Sequence, residues 1–252
     1  MSIYKNAPPI VTNGLVFYLD AANSISYISG SSNWIDLVNG IGAGSLLTFK
    51  YDPSYGGSIV GNGANTPAGF SPSASINNLM QNASSYCGWF NVSANTPFTF
   101  YYKSNNNESQ GGYITLFDYY SAAPFSGSYG SGLHVETYGT RQVYWVSSSM
   151  PVNSWFNFVV TYDGNSNNTA GTHIYINGVE NKQVTVNQNG TQSPTDDSAQ
   201  NMYIGGSYGQ ATDSVGGKLS GSLSIVQLYN RQLSQAEVLQ NYNAQKSRFN
   251  LT

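Results

Sequence analysis

The chain has 252 residues and a formal net charge of −3, and only 8% of its residues are charged although 14% are aromatic. Disordered chains lack aromatic residues and carry more charge, so this composition predicts a folded protein. Nucleic-acid binding is not expected, because the nine Lys and Arg residues are scattered. Membrane insertion is not expected either, because no run approaches about 18 consecutive apolar residues.

Residues 1–13 are predicted to form an extended N-terminal arm, because Pro8-Pro9 restricts the backbone. The arm contains no apolar stretch of the kind found in signal peptides, and we expect a protein made without one. Residues 14–252 show no repeat, charge block or change of composition. They are therefore predicted to form a single domain, which is long enough for a self-supporting core.

Short apolar or alternating runs, separated by Gly, Ser and Asn clusters, predict a succession of strands. Leu15–Leu19 is continuously apolar, which is typical of a strand buried on both faces. The next predicted strands are Ser58–Val60, Tyr86–Val92, Phe98–Tyr102, Tyr113–Tyr119, Leu133–Tyr138 and Gln142–Ser147. Cys87, the single cysteine, is predicted to be a buried apolar side chain and not a reactive thiol.

An antiparallel meander is predicted after Trp155. Phe156–Tyr162 alternates, with an apolar side chain at every second position, which places those side chains on one face of a strand. His173–Ile176 predicts the next strand after a polar loop. Asn177-Gly178 then predicts a type I′ hairpin turn, because both residues tolerate positive φ. The returning strand is Val179–Val186.

One helix is predicted, near the end of the chain. Ser234 and Glu237 have the spacing of a capping box, and Leu233 and Val238 have that of a hydrophobic staple. The side chains expected on the buried face of this helix are Val238, Leu239 and Tyr242.

Three blocks of sequence, in this order, carry a resemblance to a known family. They are Gly14–Asn23 with Trp34–Leu37, then Trp155–Gly178, then Tyr203–Gly206 with Ile225–Val238. Together they resemble the laminin G-like domains of the concanavalin A-like lectin/glucanase superfamily, and the first and last blocks resemble those of tailed-phage virion proteins. The resemblance implies an all-β fold, an antiparallel β-sandwich (jelly roll, concanavalin A-like) with one short C-terminal helix. Residues 90–150 match poorly, so no ligand site carries over there.

Catalysis is not expected. The superfamily includes glucanases, and the resemblance implies that these place carboxylates at alternate positions of one strand, as Glu-x-Asp-x-Glu. Retaining glycosidases need two carboxyl groups about 5–5.5 Å apart. The acidic residues of this chain are isolated, except for Asp196-Asp197 in a predicted loop. We therefore predict a protein that is not an enzyme and has no catalytic residues.

A ligand-binding site is predicted on the strands of residues 133–147. His134, Glu136 and Tyr138 alternate along one strand and share a face, and Tyr144 lies on the next strand. These side chains could supply hydrogen bonds and a stacking ring to a sugar. The alternative is that they form the solvent face of a half-buried strand.

No cofactor is predicted, because the His and Cys residues lack the spacing of a metal site. Structural calcium is left open, since the resemblance implies that family members often bind calcium through a loop aspartate. The chain offers Asp118, Asp196, Asp197 and Asp213, and nothing in the sequence selects among these four.

The leading functional hypothesis is a phage virion surface protein, serving as a decoration, fibre or adhesion component with a lectin-like, non-catalytic domain. It would be made in the host cytoplasm and located in the virion. Its expected partners are other virion proteins, contacted through the N-terminal arm, and a host-surface glycan. The alternative is a soluble carbohydrate-binding module or adhesin that is not part of a virion.

Overall fold

The computed structural model describes residues 8–42, 49–64, 67–93, 97–105, 110–118, 132–137, 140–146, 150–165, 169–188, 195–206 and 217–252. The strands in these residues are β1 (Leu15–Asp20), β2 (Lys50–Asp52), β3 (Ser58–Asn62), β4 (Ala68–Phe70), β5 (Ser84–Val92), β6 (Phe98–Ser104), β7 (Gly111–Asp118), β8 (Gly132–Thr137), β9 (Thr140–Val146), β10 (Phe156–Tyr162), β11 (His173–Ile176), β12 (Val179–Glu180), β13 (Lys182–Gln188), β14 (Met202–Ile204) and β15 (Ser220–Tyr229). An α-helix, α1 (Gln235–Gln245), follows the last strand.

The strands form two antiparallel sheets. The eight-stranded sheet has the order β12-β11-β10-β5-β15-β3-β2, with β1 also paired to β15. The seven-stranded sheet has the order β13-β9-β8-β7-β6-β14-β4. This architecture confirms the predicted all-β jelly-roll sandwich with one short C-terminal helix. In β8, β9 and β13 the structure describes the backbone and, of the side chains, that of Val135.

The core between the sheets is rich in phenylalanine. Phe90 of β5 lies at its centre and contacts Phe98, Phe100 and Phe156, with ring centroids 5.4, 5.1 and 5.9 Å away. All four side chains are buried. Because these rings come from both sheets, their packing holds the two layers together.

The eight-stranded sheet also has a buried apolar cluster on its outer face. Cys87 of β5, Val159 of β10 and Tyr175 of β11 form a buried cluster there with residues of the helical segment. Cys87 is therefore a buried apolar side chain, as predicted, and burial raises the pKa of its thiol. An apolar outer face must be covered, and α1 and both ends of the chain cover it.

Helix α1 has the predicted cap. The Ser234 hydroxyl accepts from the Glu237 backbone amide, and the Glu237 side chain accepts from the Ser234 amide, forming a capping box. Leu233 and Val238 are both buried in one cluster, which confirms the hydrophobic staple. Leu239 was predicted to lie on the buried face, and that prediction is wrong: its side chain is 44% exposed.

Two polar side chains are buried under α1. The Asn241 Oδ1 accepts from the Val11 amide at 2.8 Å, and the Gln245 Oε1 accepts from the Trp89 indole at 2.7 Å. A helix that covers an apolar sheet usually buries apolar side chains. Here the buried face also satisfies the backbone of residues 8–13 and an indole N–H of the sheet, which the apolar pattern of the sequence did not reveal.

The described part of the N-terminal arm is anchored to the end of the domain. The Val11 carbonyl accepts from the Tyr229 hydroxyl at 2.9 Å, and the Pro9 carbonyl accepts from the Gln240 side chain at 2.8 Å. The Asn13 carbonyl accepts from Arg231 at 2.9 Å. Residues 9–13 are therefore part of the cover over the eight-stranded sheet.

Two local predictions have different outcomes. Asn177 and Gly178 have φ values of 52° and 76°, and Ile176 pairs with Val179, so the predicted type I′ turn is confirmed. Strand β1 was predicted to be buried on both faces, and this is wrong. Leu19 on one face is buried, but Tyr18 on the other face is only half-buried.

Within the described residues, no helix is long and apolar enough to span a membrane.

The cap of α1 predicts a pH dependence of stability. Arg231 donates to both carboxylate oxygens of Glu237, at 2.9 and 2.6 Å, and this contact holds the pKa of Glu237 at about 2. Because the pKa is lowered in the folded state, the ion pair stabilises the fold at neutral pH, and this contribution is lost as the pH falls toward 2. Glu237→Gln should cost about 1 kcal/mol at neutral pH.

Thermal unfolding of the wild type and Glu237→Gln at several pH values measures this effect. The difference between the two proteins should shrink with falling pH. A difference that stays constant down to the lowest pH would show that the ion pair contributes nothing.

Candidate functional site

Three aligned tyrosines lie on the outer face of the seven-stranded sheet. Tyr203 of β14 pairs with Tyr102 of β6, and Tyr102 pairs with Tyr113 of β7. The ring centroids of Tyr102 and Tyr113 are 6.2 Å apart, and those of Tyr102 and Tyr203 are 6.3 Å apart. These rings form a cluster separate from the core between the sheets. We call them the tyrosine row; Tyr102 and Tyr113 are buried, and half-buried Tyr203 is its accessible end.

The ring of Tyr203 lies over a glycine. Gly69 of β4 pairs with Tyr203, and a Cβ atom at Gly69 would be 2.9 Å from the Cε1 atom of Tyr203. Any side chain at residue 69 would therefore push the ring away. The glycine thus sets the position of the accessible ring at the end of the row.

The row continues toward the predicted site. Tyr113 pairs with Glu136 of β8, and Thr115, two residues further along β7, pairs with His134. The hydroxyls of Thr99 and Thr115 are 3.2 Å apart on the same face of the sheet. The backbone therefore places two of the four predicted ligand-binding residues beside the tyrosines. Their role in binding stays a prediction.

The other two predicted residues are placed differently. Tyr144 of β9 pairs with Leu133 of β8 and with Thr185 of β13. Its register position therefore alternates with those of His134 and Glu136. Tyr138 lies outside the described residues. Sequence reasoning did not find the tyrosine row, because a bulge between Thr99 and Tyr101 changes which side chains of β6 face outward.

A buried ion pair holds the loop that leads into Tyr203. The Lys103 ammonium donates to the carbonyls of Asp197 and Gln200 at 2.9 and 2.5 Å, and lies 3.4 Å from the Asp197 Oδ1. Both side chains of the pair are fully buried. The Asn78 amide donates to the Asp197 Oδ1 at 2.7 Å. Residues 195–200 are therefore fixed against β6, next to Tyr102.

Glycine again makes the space for this contact. A Cβ atom at Gly111 would lie 2.0 Å from the Lys103 carbonyl oxygen and 2.9 Å from the Asp197 Cβ. Burial lowers the pKa of Lys103 and raises that of Asp197, and their mutual attraction opposes both shifts. Removing either charge alone would leave the other buried without a partner.

The carboxylates whose side chains are described all have structural partners. Asp20 pairs with Arg248 at 2.6 Å, Glu180 with His173 at 2.7 Å and Glu237 with Arg231 at 2.6 Å. The Asp36 carboxylate accepts three backbone amides, and Asp52, Asp163 and Asp196 each accept the amide two residues ahead. Asp197 pairs with Lys103.

No three His, Cys, Asp or Glu side chains are grouped so that they could hold a metal ion in the part of the chain described. Of the aspartates eligible for calcium, Asp196 and Asp197 have the partners given above. Asp213 lies outside the described residues, and only the backbone of Asp118 is described. Structural calcium stays a prediction.

Comparison with known families agrees with this architecture. A family model described as the concanavalin A-like lectin/glucanases superfamily matches residues 62–239. The match covers more than half of the chain, and the protein belongs to this superfamily. A search of curated proteins found no match.

Solved structures share the fold at low sequence identity. Trypanosoma rangeli sialidase in complex with sialic acid has a TM-score of 0.56 and 14% identity, over 98% of this chain and 37% of the sialidase. Domain 4 of AbnA, a GH43 extracellular arabinanase from Geobacillus stearothermophilus, in complex with arabinotriose, has a TM-score of 0.59 and 15% identity, over 90% of this chain and 98% of that domain.

The receptor-binding domain of botulinum neurotoxin type G has a TM-score of 0.52 and 15% identity, over 93% of this chain and 52% of that domain. The present chain thus spans about a third of the sialidase and half of the toxin domain. These likenesses establish the shared fold.

The ion pair predicts a coupled effect of two substitutions. Lys103→Met leaves the Asp197 carboxylate buried without its cation and should lower the free energy of unfolding by about 3–5 kcal/mol. The double variant Lys103→Met, Asp197→Asn should regain most of this loss, because the amide keeps an acceptor for the Asn78 amide and carries no charge.

Urea denaturation of the wild type, both single variants and the double variant gives the coupling energy. Additive losses in the double variant would show that the two side chains do not act as a pair.

Proposed function

We propose that this protein is a non-catalytic glycan-binding component of a phage virion surface. The observation that carries the glycan-binding part is the tyrosine row, whose accessible ring lies over Gly69 at the end of a line of aromatic side chains. A sugar ring has an apolar face that stacks on an aromatic ring and hydroxyls that need hydrogen-bonding partners. The proposed ligand surface is centred on Tyr203, because Tyr102 and Tyr113 are buried, and the strand register continues the row toward the proposed ligand-binding residues His134 and Glu136 of β8.

The distribution of polar groups also supports glycan binding. The eight-stranded sheet is covered on its outer face by α1 and the ends of the chain, so its strands are not available to a ligand. The surface relies on Asn, Ser, Thr and Gly with few charges. Tyrosine among small polar residues gives large contact areas at a low cost in side-chain entropy.

The proposal of a non-catalytic protein rests on the carboxylates. Each carboxylate whose side chain is described holds a turn, a cap or a neighbouring basic side chain. A glycosidase instead needs two carboxyl groups that face one substrate bond. Sugar complexes of two proteins with this fold, the sialidase with sialic acid and the arabinanase domain with arabinotriose, support the choice of a glycan as ligand.

The virion part of the proposal rests on the two segments that resemble tailed-phage proteins. Both lie in the same place in the fold, because β1 pairs with β15 along Leu15–Asp20. Residues 9–13 of the N-terminal arm also lie there, because they are hydrogen-bonded to Tyr229 of β15, Arg231 and Gln240 of α1. We propose that residues 1–7 contact other virion proteins. A soluble carbohydrate-binding module or adhesin is the competing function.

Mass spectrometry of purified phage particles distinguishes the two functions. We expect the protein in the particles, and deletion of residues 1–7 should remove it from them without unfolding it. The deletion stops at residue 7, because the Val11 amide and carbonyl are hydrogen-bonded within the fold and must be kept. Absence of the full-length protein from purified particles would favour the soluble module.

The glycan site predicts the effects of three substitutions. Tyr203→Ala should weaken glycan binding at least tenfold, or about 1.4 kcal/mol, because it removes the accessible ring. Gly69→Ala should weaken binding similarly by displacing that ring, whereas Tyr203→Phe should retain most of the affinity. Leu239→Ala, an exposed apolar position on the opposite side of the domain, is the control.

The measurement is a glycan array followed by calorimetric titration of each glycan that binds, with thermal unfolding of every variant to confirm folding. Equal binding by Tyr203→Ala and the wild type would place the site elsewhere.

A further inference from the structure

Tyr55 has a backbone conformation that bulky residues rarely adopt. It lies in the turn between β2 and β3, with φ 55° and ψ 31°, in the left-handed region. Glycine is the usual residue there, and Gly56 and Gly57 follow immediately with φ values of 80° and 141°. A glycine at position 55 would adopt this conformation without strain. The presence of a strained tyrosine there instead points to a role for its side chain.

The side chain of Tyr55 is presented on a rigid aromatic base. The residue is 41% exposed, and its ring packs on Trp155 and Phe249, with centroids 5.9 and 6.5 Å away. Phe249 stacks on Trp89 at 4.2 Å, and Trp89 stacks on Tyr242 at 5.8 Å. The exposed ring is thus the outermost of five rings that extend to helix α1.

Arg248 fixes the backbone on both sides of Tyr55. Its guanidinium donates to the carbonyls of Tyr55 and Gly57 at 2.7 and 2.8 Å, and it pairs with Asp20 at 2.6 Å. It also donates to the hydroxyl of Ser224. Arg248 therefore holds the left-handed turn, and the next residue, Phe249, packs on the Tyr55 ring.

The two residues just before Trp155 of this platform are polar. Asn153 and Ser154 precede Trp155 in sequence and are both exposed. Asn153 has a φ of 55°, and its amide donates to the Val92 carbonyl at 2.7 Å, so this turn is also fixed. An exposed ring, packed on a Trp155 that an exposed Asn and Ser precede in sequence, suits a sugar, which presents an apolar face and a polar edge.

We propose that Tyr55 is the stacking face of a second carbohydrate subsite, at the margin of the eight-stranded sheet and separate from the tyrosine row. The inference rests on the proposed glycan-binding function and adds a second point of attachment to it. Two subsites on opposite sheets would let one domain engage two glycan chains, or two places on a dense glycan surface, and so raise its avidity.

Two substitutions of Tyr55 test whether its ring stacks on a sugar or only covers Trp155 and Phe249. Tyr55→Asn removes the ring but keeps the turn, because asparagine tolerates the left-handed conformation. Tyr55→Phe keeps the ring and removes only the hydroxyl. The probes are arabinotriose and sialic acid, together with a glycan array, and the readouts are affinity and tryptophan fluorescence, since Trp155 contacts the Tyr55 ring.

The wild type should bind with a change in tryptophan fluorescence, Tyr55→Phe should bind within about twofold, and Tyr55→Asn should lose that fluorescence change and at least tenfold in affinity at this subsite. Tyr203→Ala should keep the fluorescence change. If Tyr55→Asn folds and binds like the wild type while Tyr203→Ala does not, the Tyr55 inference is wrong and the tyrosine row stands. If the wild type binds no glycan, the proposed function and this inference fall together.

Discussion

Strands β5 and β10 are buried on both faces, and this constraint organises the rest of the molecule. Their inner side chains meet the seven-stranded sheet, and their outer side chains, such as Cys87 and Val159, need a second cover. Helix α1, residues 9–13 and the C-terminal segment provide it. Because the outer face of the eight-stranded sheet is enclosed in this way, the surfaces proposed for a ligand are the Tyr203 end of the tyrosine row and the margin at Tyr55.

Charge is used sparingly and mainly for structure. Lys103 with Asp197, Arg248 with Asp20 and Arg231 with Glu237 each fix one loop or cap against a strand. The aromatic surfaces proposed to bind glycans are therefore positioned by ion pairs and glycines beneath or beside them. A surface of this kind recognises its ligand by shape, stacking and hydrogen bonds, and its binding of an uncharged glycan should depend little on salt.

The features predicted from sequence are those set by neighbouring residues. Asn177-Gly178 and the capping box of Ser234 and Glu237 are local, and both are confirmed. Whether Leu239 is buried depends on which residues pack against α1, and the apolar periodicity of the helix predicted its burial incorrectly. The partnership of Lys103 with Asp197 joins residues 94 positions apart, and the tyrosine row depends on strand register across a bulge. No short-range pattern encodes either of these contacts.

The central claim, glycan binding without catalysis, is tested most directly on a single sample. The full 252-residue protein is titrated calorimetrically with each glycan that it retains on an array, and the same mixtures are then analysed for released sugar. The account predicts saturable heats, an affinity at least tenfold weaker in Tyr203→Ala, and no released sugar after prolonged incubation. Steady release of product, or the absence of binding to every glycan, would contradict it.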